Sequence, residues 1–397
     1  MADLSALPDE LLAEIFIRYL PPYPEHPPLM GPGSPTYLLG ICTLWRTVAL
    51  HTPVLWRAIR IGEVCIDERW VTLLEDWLAR SGTCDLSLRL AEFLEESDLR
   101  WVQTLLERVL AERHRWEYVF WNMFDPMWTG VISGDGTLAP PPRLQELTLI
   151  TYVLPDAPPV NLNPASAPES VSPSRLRTVC LWNVGFTAAS FVWADLTSLA
   201  LVNVDFRQCL RVLGFAIQLV QCRLHLDYDS TSSAPPPPPP RIRVELPRMK
   251  AFCIYTRLAY SRNANGAPGE DLLAPFVLPA LRKLEVSEQF LGLHPQEGCE
   301  WVLALLARSG LGPDGRRQLE RLRVLRVEYI RPEDVRGAFA ACRRVFSETQ
   351  TVFDHVGDYI VMTGEGHWRA EGYWDLEGED GRAGGSMKKF ASSLIIE

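Results

Sequence analysis

Few residues in this chain of 397 are placed to do chemistry. Asp354-His355 sets a carboxylate beside an imidazole, the pairing that a general base uses. Neighbours on a chain rarely orient one another, and no Ser or Cys stands where it would complete a nucleophilic set. Cys42 and His51 suggest a thiol–imidazole pair, but their spacing puts them on different helical turns. Cys42 lies beside an apolar stripe and reads as a packed thiol. There is no Walker loop, no G-x-G-x-x-G after a strand, no G-x-S-x-G and no H-E-x-x-H. Gly31-x-Gly33 lies between prolines, where it cannot open a helix onto a phosphate. The 9 Cys form no C-x-x-C pair and have no His at finger spacing, which argues against structural zinc. The expectation is therefore no catalytic residue, no metal and no cofactor.

With chemistry set aside, the elements themselves carry the reading. The formal charge of -10 argues against an electrostatic grip on nucleic acid or anionic lipid. The longest apolar runs, such as Val212 to Ile217, are far too short to span a membrane. Met1-Ala2-Asp3-Leu4-Ser5 lacks the basic then apolar order of a leader. Scattered single Cys fit reduced, mostly buried thiols in a cytoplasmic or nuclear protein. No nucleic-acid or membrane partner is expected.

Residues 8–20 are predicted to form an amphipathic helix, with Leu11, Leu12, Ile15, Phe16 and Tyr19 on one broad face. Pro8 suits its first position, Asp9 and Glu10 its first turn and Arg18 its last. Pro21-Pro22 stops it, and a Pro/Gly-rich stretch runs to Pro35. A second helix is predicted over residues 36–50, and Thr52-Pro53 as a cap and first residue of a short third turn carrying Leu55 and Trp56. Periodicity predicts helices over 70–80 and 97–114 and strands over 86–90 and 116–121.

Farther on, the pattern L-x-x-L-x-L recurs, at Leu144/Leu147/Leu149, Leu176/Val179/Leu181, Leu196/Leu199/Leu201, Met249/Phe252/Ile254, Leu281/Leu284/Val286 and Leu322/Leu325/Val327. Leu224 and Leu226 are a partial match, with Gln221 in the first apolar slot. A helix ending on Arg80-Ser81-Gly82 is echoed at Arg308-Ser309-Gly310. Each unit reads as one short strand whose apolar edge only a stacked neighbour can cover. The spacing is irregular, so a plain α/β domain is the alternative. Residues 155–174, 229–240 and 261–270 read as surface loops between repeats, the six prolines from Pro235 to Pro240 as a polyproline spacer. Most of Trp121, Trp128, Trp182 and Trp193 should be packing residues.

Leu7-Pro8-Asp9-Glu10-Leu11-Leu12-Ala13-Glu14-Ile15-Phe16, then Cys42-Thr43-Leu44-Trp45-Arg46, then Leu55-Trp56, resembles the F-box family in order and residue type. The resemblance covers about fifty residues; the rest of the chain looks more loosely like the degenerate leucine-rich half of fungal-type F-box proteins. It implies an α/β fold in which a small N-terminal helical F-box-like module (1–58) precedes an irregular leucine-rich-repeat-like α/β solenoid (59–356), ahead of a strand-like piece and tail (357–397). It also implies that Leu7, Pro8, Leu11, Leu12, Ile15, Phe16, Leu20, Ile41, Cys42, Trp45, Leu55 and Trp56 dock the Skp-type adaptor of a cullin ubiquitin ligase. The larger domain would hold a target protein. Physically, a three-helix piece of this size carries more Leu, Ile, Phe and Trp than its own core needs. The long stretch from Pro21 to Pro35 departs from the family pattern and bears on whether the docking face is open. The alternative is a non-catalytic leucine-rich-repeat scaffold unconnected to ubiquitin, its N-terminal helices buried as a cap.

Overall fold

The computed structural model describes residues 7–61, 67–90, 99–123, 141–151, 175–226, 243–256, 272–287, 290, 299–310, 319–326, 345–346 and 349–355. They fall into two compact units, one ending at Leu176 and one beginning at Arg177. Both are mixed α/β, and every described strand pairing within them is parallel. The three Pro-, Ala- or Gly-rich stretches between repeats, Trp128 and the tail from 357 lie outside the described residues.

The first unit opens with α1 (Asp9–Tyr19), α2 (Pro35–Leu38), α3 (Thr43–Leu50) and a 3₁₀ turn, Pro53–Trp56. Next come β1 (Ala58–Ile61), α4 (Glu68–Arg80), β2 (Leu86–Leu90), α5 (Leu99–Ala111), β3 (Trp116–Met123) and β4 (Glu146–Thr151). A parallel strand cannot turn straight back, so α4 and α5 carry the crossovers from β1 to β2 and β2 to β3. Ile59, Leu88, Val119 and Leu147 stand in one register row, and Ile61, Leu90, Trp121 and Leu149 in the next. All eight are buried.

Three sequence expectations change here. Pro8 is the N-cap, extended at φ -55 and ψ 144, and its carbonyl accepts from Leu11 and Leu12. The single helix over 36–50 is two. Ser34 caps α2 with its side chain on the Thr36 amide, and the chain then turns through Leu39–Cys42. Cys42 is fully extended (φ -158, ψ 172), and α3 restarts behind it. Thr52 stands at its expected place but makes no capping bond; its hydroxyl donates to the Val48 carbonyl at 2.7 Å.

The second unit contains β5 (Thr178–Trp182), β6 (Ser198–Val204), α6 (Phe206–Leu213), β7 (Gln221–Leu226), β8 (Val244–Glu245), β9 (Ala251–Thr256), β10 (Phe276–Val277), β11 (Lys283–Ser287), α7 (Glu300–Arg308), β12 (Arg321–Arg326) and β13 (Gln350–His355). Its sheet runs β5-β6-β7-β9-β11-β12-β13, with β8 and β10 paired apart. Val179, Leu199, Cys222, Phe252, Leu284 and Leu322 form one buried row.

That row corrects the repeat in two places. Leu322 pairs in register with Leu284, so the last repeat reads Leu319/Leu322/Val324, three residues earlier than Leu322/Leu325/Val327. Likewise Leu199 pairs with Cys222, so β7 carries a full Leu219/Cys222/Leu224 match. All six residues of these two repeats are buried. Cys222 hid the second match because a buried thiol packs as a small apolar side chain. Asn183, just past β5, and Asn203, at the bulge between Val202 and Val204 within β6, take left-handed φ of 55° and 56°, which Asn tolerates. The Arg-Ser-Gly echo has a structural cause. Ser81 and Ser309 both return a hydroxyl to their own helix (2.7 Å each), and Gly82 and Gly310 come next at φ 55° and 75°.

Two buried charges give testable energetics. Glu285, 1% exposed, lies between Arg223 and Arg323 at 3.8 Å from each, and accepts the Tyr255 hydroxyl. Removing it as Glu285→Ala leaves two cations facing a void and is expected to lower urea-unfolding stability by about 3–5 kcal/mol. Arg113, in the 3₁₀ turn Arg113–Arg115, is buried with no hydrogen bond to any guanidinium nitrogen. Burial pulls it down to about 10, still charged at neutral pH. Arg113→Met is expected to raise stability by about 1–3 kcal/mol in the same assay.

Candidate partner-docking face

The N-terminal helices form a small core and leave a large apolar surface outside it. Leu12 and Phe16 of α1, with Leu38, Val48, Ala49, Leu55 and Trp56, are all buried. The Phe16 and Trp45 rings lie 4.8 Å apart. Trp56 fastens this core to the rest of the unit. Its indole donates to the Ala49 carbonyl at 2.9 Å, its ring meets Trp77 of α4 edge-on at 5.1 Å, and Arg80 caps it at 4.7 Å.

With Leu12 and Phe16 turned inward, α1 still shows an open flank. Leu11 is 54% exposed and Ile15 48%, with Tyr19 continuing the stripe one turn on. Tyr37 of α2, Ile41 (47% exposed) of the turn between α2 and α3, Leu50 of α3 and Val54 of the turn after it add apolar surface. The residues implied by the resemblance therefore divide. Pro8, Leu11, Ile15, Ile41 and Cys42 are exposed, and Leu7, Leu20 and Trp45 are half-buried. Leu12, Phe16, Leu55 and Trp56 are core residues, which can support a docking face without lining it. Tyr19, Tyr37, Leu50 and Val54 join the surface; in the sequence, Tyr19 and Tyr37 already sat on apolar helical faces. Cys42 is not the packed thiol its neighbours suggested. It is exposed and caps α3, its Sγ accepting the Trp45 amide at 3.5 Å. Five of the seven described cysteines are buried, as their scatter suggested.

The stretch from Pro21 to Pro35 leaves this surface open. It runs instead onto the polar side of β1–β3. Tyr23 donates its hydroxyl to Glu117 at 2.7 Å, stacks edge-on against Tyr118 at 5.6 Å and lies under Arg57 at 3.8 Å. Gln145 takes the other Glu117 oxygen at 2.6 Å. Burial, then the Glu117 bond, pushes the Tyr23 phenol far above its usual value. Ser87 of β2 donates to the Pro24 carbonyl at 2.8 Å and stands 3.0 Å from His26 Nε2. One hydroxyl proton cannot serve both, so Nε2 carries the imidazole proton and donates it to Ser87. At the far end the Tyr19 hydroxyl accepts the Gly33 amide at 2.6 Å, and Gly31 and Gly33 take φ of 82° and 83°, which glycine adopts without strain.

An open cavity of about 700 Å³ lies near the ends of α4 and α5. Within its lining Arg108 pairs with Glu75 at 2.7 Å and Arg115 with Glu112 at 2.9 Å, and Arg143 pairs with Asp85 beside it. Among the described residues no group of three His, Cys, Asp or Glu side chains is placed to hold a metal ion, and no helix is long and apolar enough to cross a membrane. Of the pair Asp354-His355, the backbone lies on β13. No protein-family model matches the chain, and no curated protein matches it.

His26 makes the fastening pH-dependent. Burial, then Arg89 and Arg60, lowers it from 6.5 to about 3. Between those values the unfolded chain holds a proton that the folded one does not, so stability is full above about 6.5 and falls as the pH drops toward 3. At pH 5 this group alone is expected to cost about 2 kcal/mol. Urea unfolding at pH 7.5 and 5 checks it: His26→Gln, which keeps a donor for Ser87, should lose at least about 1 kcal/mol less than the native chain on acidification.

Proposed function

We propose that this protein is a substrate-recognition subunit of a Skp–cullin–F-box ubiquitin ligase. Helices α1–α3 dock the Skp-type adaptor, and the strand-rich remainder, read as degenerate leucine-rich repeats, holds a target protein. The mechanism is positional: the chain brings target and ligase together, and ubiquitin transfer happens elsewhere.

One observation carries the reading. Among the described residues, nine of the eleven exposed large apolar side chains lie between Leu11 and Val54. Exposed apolar surface concentrated in one small module marks an interaction site. The motif residues supply the rest: Pro8 caps α1, Phe16 meets Trp45, and Trp56 anchors the module to α4. The in-register L-x-x-L-x-L rows support the repeat reading of the larger part. The scaffold alternative would be favoured by Leu11, Ile15 and Trp45 all buried as a cap; Leu11 and Ile15 are open and Trp45 is half-buried.

Burying Leu11 and Ile15 in a partner is worth about 1.5–3 kcal/mol each. Leu11→Asp/Ile15→Asp should therefore weaken capture of the Skp-type adaptor about a hundredfold or more, with the denaturation midpoint nearly unchanged because both sites are on the surface. Undiminished co-purification of adaptor with the double variant would falsify the docking assignment.

A further inference from the structure

The turn between α1 and α2 carries an exposed apolar side chain that the opening motif does not account for. Met30 is 74% exposed, the most open of the large apolar side chains among the described residues. Its backbone is nevertheless held on both sides. The Leu29 carbonyl accepts the Ser34 hydroxyl at 3.0 Å and the Thr36 hydroxyl at 2.8 Å. Gly31-Pro32-Gly33-Ser34 closes through the Ser34 amide on the Gly31 carbonyl at 3.1 Å, with proline second and a glycine at φ 83° third, as a type II turn requires. The Gly33 amide donates to the Tyr19 hydroxyl at 2.6 Å, which ties the turn to the last residue of the Leu11, Ile15 and Tyr19 row. On its other side the turn runs straight into α2, which carries Tyr37. It therefore adjoins the open apolar surface at two places.

Charge and size point the same way. From Pro27 to Trp45 no side chain is charged. Depletion of charge, with Met and aromatic side chains present, is what the buried centre of a protein–protein interface shows. Leu11, Ile15 and Ile41, each about half exposed, cover well under half of the about 800 Å² that each side of a stable interface buries. A turn already fixed loses little entropy on binding, and an unbranched thioether fits itself to a recess of irregular shape.

We propose that the turn from Leu29 to Ser34 is a second contact for the Skp-type adaptor, with Met30 entering an apolar recess on that adaptor. The proposal rests on reading α1–α3 as the adaptor's docking module. It makes the insertion between α1 and α2 a determinant of affinity for the same partner.

The test is surface plasmon resonance on the full chain, with purified Skp-type adaptor as the analyte. Met30→Asp should weaken binding about tenfold or more, with the denaturation midpoint unchanged because the site is on the surface. Met30→Leu keeps the apolar volume and should stay within about twofold of the native chain. Met30→Ala should weaken binding about threefold or more, and it serves if the Asp variant fails to fold by circular dichroism. Phe215→Asp, at another exposed apolar side chain in the second unit, should leave binding unchanged. Sedimentation of the same variants shows whether the turn instead joins two copies of this chain. Binding by Met30→Asp within about twofold of native, equal loss in Phe215→Asp, or a loss confined to self-association overturns the proposal. If Met30→Asp binds normally while Leu11→Asp/Ile15→Asp does not, only this second contact is removed. A native chain that binds no adaptor removes the ligase reading and this contact with it.

Discussion

Within each unit every described strand pairing is parallel, so the chain must leave the sheet and cross back before adding the next strand. Much of the architecture derives from that requirement. Helices α4 and α5 make two of the crossings in the first unit, and α6 and α7 make two in the second. Each new strand covers the apolar edge of the last. Stability in such a stack comes mostly from nearest neighbours. This is why the apolar rows hold register over strands whose connections differ widely in length. Loop length costs little entropy, and row alignment is enforced by burial.

The two sides of these strands have separate work. Core-side rows are Leu, Ile, Val, Phe, Trp and Cys. On the other side polar residues need partners, and these come from far along the chain. In the first unit Ser87 and Glu117 are met by Pro24, His26 and Tyr23, more than sixty positions away. In the second, Glu285 is met by Tyr255, Arg223 and Arg323 from three other strands. A buried carboxylate or hydroxyl costs free energy until such a partner arrives, so these contacts bind distant segments into one arrangement.

The stretch from Pro21 to Pro35 takes on a different character in that light. As an insertion between α1 and α2 it could have covered the module's apolar flank. Its polar residues instead satisfy the open side of β1–β3, and with Trp56 on Trp77 they give the helical module a second attachment to its unit. The flank carrying Leu11, Ile15 and Ile41 stays in solvent. Docking there would load a module already held at two points.

Much of this was legible in the residues alone. Periodicity located α1, α4, β2, β3 and most later strands, because a 3.6 or 2.0 repeat of apolar residues needs only local sequence. The opening motif picked out Leu11, Ile15 and Ile41, and counting apolar residues against a fifty-residue core implied that some would lie outside it. The break between α2 and α3 was harder to see, since an extended Cys42 is a backbone choice that propensity does not specify. Pairing alone moved the last repeat by three residues, because Leu319, Leu322 and Leu325 offer two equal local matches and only Leu284 across the strand chooses between them. Which of the motif's apolar residues face inward was likewise a tertiary decision: Leu11 and Leu12 are the same residue type on adjacent positions, and only the packing of Leu12 into the module core sends Leu11 to the surface. The sequence by itself determined which elements form and where an excess of apolar residues lies. The tertiary structure decided which of those residues stay exposed and where the Pro/Gly stretch is fastened, because burial and pairing depend on partners that lie far away along the chain.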